Sequence, residues 1–142
     1  MPLKLSLKPG ETFVLNGAVI QNGDRRNVLV LQNQATVLRE RDIMQPDDAV
    51  TPARRVYFPL MMMYLDASEA PRYAAQFTQE LAEFTAVATD PATVAECLSI
   101  SRLVVDGAVY KALMSCRRLI ESEDQACRRD LHTVQALSLI HI

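Results

Sequence analysis

An α+β fold is predicted for this chain: a small N-terminal antiparallel β-domain followed by a C-terminal three-helix bundle. Three observations predict it. Over residues 3–43 the apolar segments are short, β-prone and separated by turn signals. Over residues 42–52 two prolines and a polar cluster interrupt the pattern. Beyond residue 59 the apolar residues recur every three or four positions instead of every two. The boundaries that follow are a β-domain over 1–45, a linker over 46–58 and a helical domain over 59–125.

The strands come first. Leu3, Leu5 and Leu7 alternate with Lys4 and Ser6, so one face of the first strand should be buried and the other wet. Pro9-Gly10, Asn16-Gly17, Asn22-Gly23 and Asn33 then separate it from β-prone segments at 12–15, 18–20, 28–31 and 36–38. In the stretch AVIQNGDRRNVLVLQ, Asn22-Gly23 stands between two such runs. That is a strong hairpin signal, because both central residues of a type I′ turn need positive φ. Arg25 and Arg26 are thereby predicted at or near a hairpin tip. Strands this short have little core of their own and need the helical region or a second copy of the chain.

The helices follow. Ser68 and Pro71 mark a start, and Tyr73, Phe77, Leu81 and Phe84 fall on one helical face that should run to about Val87. Asp90-Pro91 is an N-cap with proline at the first helical position; Val94 and Leu98 continue that helix until Gly107 ends it. A third helix carries Tyr110, Leu113, Met114, Arg117 and Ile120 along one side. Three amphipathic helices on short loops pack as a bundle.

Composition narrows the function classes. With 142 residues, 49% hydrophobic and 23% charged, the chain can hold one domain with a real core and is not compositionally disordered. The net charge of -2 conceals a basic first third, where residues 1–55 hold eight Lys and Arg against six Asp and Glu. Any site for an anion is expected there. No secretory leader pattern or membrane-length apolar run is present, so a cytoplasmic location without membrane contact is expected. Cys97, Cys116 and Cys127 form no CxxC pair and fall in helical segments, which suggests neither zinc nor a disulfide frame. The two histidines, His132 and His141, lie close to the end, and every glycine reads as a turn or cap. No catalytic residue, metal or cofactor is therefore assigned. The last six residues, LSLIHI, back-translate as CTG TCT CTT ATA CAC ATC, the transposase end used in preparing sequencing libraries. Residues 137–142 are accordingly set aside as foreign to the fold.

Two features carry chemistry. Met61-Met62-Met63 is either buried core beside a helix or an adaptable partner-binding surface. The arginines at 25, 26, 39 and 41 are either solvated charges guarding strand edges or contacts to phosphates and bases, both of which suit arginine's planar fork.

The segments MPLKLSLKPGETFVLNGAVIQNGDRRNVLVLQN, LRERDIMQP, TPARRVYFPLMMMYLD and YKALMSCRRLIESED together resemble the FlbT family of bacterial flagellum biosynthesis repressors, over residues 1 to about 125. The resemblance implies a post-transcriptional regulator that acts on the flagellin mRNA leader, at its 5′ untranslated region, and promotes decay of the message. It also implies cooperation with a FlaF-type flagellin regulator. A shorter likeness, in the order of first strand, Gly10-Glu11, Asn-Gly turn and closing Arg39-Glu40-Arg41-Asp42-Ile43, is to the RNA-binding regulator CsrA. It implies that Arg39 matches a key RNA-contacting arginine and Lys8 a basic residue of the first strand, although Leu7 stands where a second arginine would be. The combined expectation is that Lys8, Arg25 and Arg26 hold phosphates while Arg39 and Arg41 reach exposed bases. The alternative is a protein-binding adaptor or chaperone that holds flagellin or an assembly factor at Met61, Met62 and Met63.

Overall fold

The computed structural model describes residues 3–140, with five strands and four α-helices in the order β1 (Leu3–Leu7), β2 (Thr12–Leu15), β3 (Ala18–Gln21), β4 (Asn27–Leu31), β5 (Val37–Arg39), α1 (Pro52–Leu65), α2 (Ala70–Val87), α3 (Pro91–Val105) and α4 (Val109–Ile140). The class is α+β as predicted, but four helices stand where three were expected. The additional one is α1, which begins inside the stretch expected to be a linker. Its entry signal was in the sequence: the Thr51 side chain accepts a hydrogen bond from the Arg54 N–H at 3.3 Å, and Pro52 follows at the first helical position. Pro59 in mid-helix and the apolar run Leu60 to Met63 hid it, because proline reads as a breaker and an all-round apolar segment shows no one-sided period.

The strands form two small antiparallel sheets. β1 and β4 make a ribbon with Leu3 opposite Leu31 and Leu7 opposite Asn27. The other sheet runs β3-β2-β5, with Val14 on the central strand opposite Val19 on one side and Leu38 on the other. The hairpin expected at Asn22-Gly23 is not there. The Asn-Gly turn that closes a hairpin is Asn16-Gly17, with φ of 51° and 82°, joining β2 to β3. Asn22-Gly23 instead lies on the connection that carries the chain from one sheet to the other. It is sewn to the turn after β1: the Asn22 N–H donates to the Glu11 carbonyl and the Gly10 N–H to the Gly23 carbonyl, both at 2.8 Å. The Asn22 side-chain amide also donates to the Lys8 carbonyl at 2.8 Å. These tertiary bonds override the local turn preference.

The three-stranded sheet and the helices share one core. Val14 and Leu38 are buried with Val56, Tyr57, Leu60 and Met61 of α1, Phe77 and Leu81 of α2, Cys97 and Ile100 of α3, and Leu113, Cys116 and Leu119 of α4. Helix α1 is central, packed against both α2 and α4, while α3 packs on α4. Each fully buried aliphatic side chain there contributes about 1.5–3 kcal/mol. Three polar ties reinforce the junction. The Tyr64 hydroxyl donates to the Val37 carbonyl at 3.1 Å and accepts from the Val37 N–H at 3.2 Å. Tyr57 donates to the Asp42 carbonyl at 2.5 Å. Arg117 of α4 pairs with the buried Asp42 carboxylate. The support that such short strands need thus comes, for this sheet, from the helices.

The ribbon keeps the expected alternation along most of β1: Leu5 is half-buried and Leu7 buried, while Lys4, Ser6 and, opposite Ser6, Val28 are exposed. It departs at the far end, where Leu3 is 52% exposed. Among the described residues no helix is long and apolar enough to cross a membrane. The main chain of α4 continues through Ile140, but the side chains of residue 134 and of 136 onward and residues 141–142 lie outside the described residues, and with them the expectation for 137–142.

Candidate nucleic-acid interface

The turn after β1 bends back at Pro9-Gly10, where Gly10 takes φ of +70°, a conformation that suits glycine. The bonds from this turn to Asn22 and Gly23 draw the 22–26 connection across it. The end of β5 and the short helical turn Glu40–Asp42 complete the rim. The result is a concavity of about 400 Å³ that brings together Lys8, Arg26, Arg39 and Arg41, with Ser6, Glu11 and Glu40 beside them. Four of the five basic residues singled out from the sequence therefore line one surface, although they come from three separate segments.

Their environments differ. Glu11, 9% exposed, receives the Lys8 backbone N–H at 3.1 Å and grips Arg39, with Nε to Oε2 at 3.0 Å, Nη2 to Oε1 at 2.9 Å and Nη2 to Oε2 at 2.7 Å. The Lys8 N–H, and next the Arg39 guanidinium, hold the Glu11 carboxyl below the usual carboxylate range, so it is ionised at neutral pH. Arg39 Nη2 donates in addition to the Ser6 carbonyl of β1. Arg39 is thus part of the wall, with Nη1 as the one guanidinium nitrogen that has no hydrogen-bond partner among the described residues. Lys8 and Arg26 are exposed and form no ion pair among the described residues, and Arg41 is 76% exposed, with only a 4.0 Å approach to Asp42. The concavity therefore presents exposed cations around a buried carboxylate paired with Arg39.

Arg25 is not part of this lining. It is exposed, and its carbonyl is held by the side-chain amides of Asn22 at 2.9 Å and Asn27 at 3.1 Å. With no hairpin at 22–23, the grouping of Arg25 and Arg26 at one tip dissolves. Two other basic residues of the first third are bound internally. Arg54 makes a bidentate pair with Asp124 at 2.8 and 2.9 Å, and Arg55 lies 3.7 Å from Glu80. Met61 is buried in the core and receives the Met44 N–H on its sulfur at 3.2 Å; Met62 and Met63 are half-buried against the same core. All three ride on α1, the central helix, which is covered on several sides and so buries Met61 fully and Met62 and Met63 in part.

Glu11 was given no role from the sequence. The signal available was an acid immediately after a Pro-Gly turn in a basic segment, which gains meaning only once β5 is known to lie beside it. Burial pushes the Cys97 and Cys116 thiols above their usual range, the opposite of what a nucleophile needs. Among the described residues no group of His, Cys, Asp and Glu could hold a metal ion.

A two-sheet β unit joined to a helical bundle thus carries a concavity whose exposed cations suit an anionic ligand. The comparisons with known proteins give its family. The profile described as "Flagellar protein FlbT" matches residues 3–127, and this chain belongs to the FlbT family. A protein of Caulobacter vibrioides named "Flagellum biosynthesis repressor protein FlbT" is 61% identical over 125 residues, covering 88% of this chain and 89% of that one. A "Probable flagellum biosynthesis repressor protein FlbT" of Caulobacter sp. is 63% identical over 125 residues, covering 88% and 95%. One of the same description from Rhodopseudomonas palustris is 36% identical over 132 residues, covering 91% and 100%. No solved structure matches the chain. These relatives are named as repressors of flagellum biosynthesis.

Proposed function

We propose that the chain represses flagellin synthesis in the cytoplasm by binding the 5′ untranslated region of flagellin mRNA in the basic concavity and promoting decay of the message. The observation that carries this reading is the convergence of Lys8, Arg26, Arg39 and Arg41 on one concave surface. Lys8, Arg26 and Arg41 take phosphates, since exposed cations release counterions when they meet the RNA backbone. Arg39, held in place by Glu11, offers its remaining donors to a base edge or a phosphate at a fixed position. The action is steric and recruiting, and a FlaF-type regulator is its proposed partner. The rival reading, a holding surface for flagellin on Met61, Met62 and Met63, has less to draw on because Met61 is buried.

The test is ultraviolet crosslinking in cells, followed by sequencing of the bound RNA and identification of the bound protein. Flagellin leader fragments enriched over total RNA are the expected result. Recovery of flagellin or an assembly factor without RNA would replace this reading with the adaptor.

A further inference from the structure

At the opposite end of β1 from the basic concavity lies a second and larger one, about 610 Å³, bordered by Leu3, Asn16, Leu31, the loop 32–36 and Tyr64. Its chemistry is different. The described lining holds no charged side chain and is rich in amides, from Asn16, Gln32, Asn33 and Gln34. The loop is pinned at its far end. The Asn16 side-chain oxygen accepts from the Thr36 N–H at 2.9 Å, the Asn16 N–H donates to the Thr36 carbonyl at 2.8 Å, and Tyr64 holds both backbone groups of Val37. Gln32, Asn33 and Gln34 are exposed on this anchored loop, and their side chains make no hydrogen bond to the protein among the described residues.

We propose that this amide-lined groove is a base-reading subsite for single-stranded RNA whose phosphates lie in the basic concavity, an inference that rests on the RNA reading given above. An amide presents a donor and an acceptor in one plane and can pair with a base edge at two points, which a phosphate-binding lysine cannot do. Leu3 and Leu31 supply an apolar shelf for the face of a base. Single-stranded segments expose the edges such a groove would read. The two concavities lie at opposite ends of one strand: Leu3 borders one and Ser6 the other, about 10 Å apart at strand rise and, three residues apart, on opposite faces of β1. β1 belongs to a two-stranded sheet with β4, so an RNA that occupies both passes around the outer edge of β1. Because the groove is uncharged, it changes discrimination and leaves the salt dependence alone.

The experiment compares the full chain with the Gln32→Ala/Asn33→Ala/Gln34→Ala variant, on a labelled flagellin leader RNA and on a scrambled RNA of equal composition, across a salt series. These side chains are exposed, so an unchanged melting curve should accompany the variant. The expected result is a loss of about tenfold or more in preference for the leader, with the slope of log affinity against log salt unchanged. A variant that keeps the wild-type preference, or that weakens on both RNAs alike, would overturn the subsite. So would a wild-type protein that binds both RNAs equally, while leaving the RNA reading standing. A wild-type protein that binds neither RNA would overturn both.

Discussion

Arg39, at the end of the last strand, is locked to Glu11, just before β2, by an ion pair of 2.7 Å that also ties β1 through the Ser6 carbonyl. One strand from each sheet and the turn between β1 and β2 thus meet at one guanidinium. Arg39→Ala leaves the Glu11 carboxylate with the Lys8 N–H but without its cation, and should cost about 1–3 kcal/mol in urea unfolding. Arg39→Lys should recover only part of this, because an ammonium cannot reproduce the forked contact. A loss of RNA binding in an Arg39 variant is informative only beside that stability measurement.

Acid stability should carry the same signature. The folded-state pKa of Glu11 lies below its ordinary 4.5, so the unfolded chain binds more protons in that window and stability rises with pH. The contribution is complete above about 4.5 and disappears as pH falls through the depressed folded value. Asp124, lowered by Arg54, acts in the same direction. Denaturation curves of wild type and Glu11→Gln should be well separated at pH 7 and converge towards pH 3. A constant gap across that range would contradict the assignment.

The β region should not unfold apart from the helices. Leu38 is fully buried in the shared core, and Leu38→Ala should cost about 2–5 kcal/mol while leaving a single transition by circular dichroism and fluorescence. Residues 1–45 expressed alone would expose Val14 and Leu38 and should aggregate or self-associate. A soluble, well-folded monomer of that fragment would show that the shared core is dispensable.

Arg25 and Arg26, adjacent in sequence, should separate in function. Arg26 lines the concavity and Arg25 does not. Arg26→Ala should weaken binding to every RNA, whereas Arg25→Ala should change it less than twofold in the same fluorescence anisotropy titration. Equal losses would return the pair to a common tip.

Much of this was legible in the chain, and the misses have physical causes. Asp90-Pro91 and Gly107 bounded α3 because caps are local chemistry, and the Phe77 and Leu81 face of α2 was visible because its far side is polar. Helix α1 was hidden because a central helix is apolar on several sides and so has no clean period. The hairpin at Asn22-Gly23 failed for a different reason. Both Asn-Gly pairs carry the same local signal, and the choice between them was made by bonds to Lys8, Gly10 and Glu11, eleven or more residues away. The site followed the same rule: the basic residues were recognisable one by one, but that Lys8, Arg26 and Arg39 share a concavity depends on strand order. Glu11, which fixes Arg39, could be found only with that order in hand.

The central claim, that the basic concavity holds RNA phosphates, is tested most directly by the salt dependence of the Lys8→Ala/Arg26→Ala variant on a flagellin leader RNA. Both residues are exposed and free of ion pairs among the described residues, so folding should be unchanged. Removing two phosphate contacts should weaken binding on every RNA and flatten the slope of log affinity against log salt by about one to two. Wild-type affinity and an unchanged slope in this variant would contradict the account.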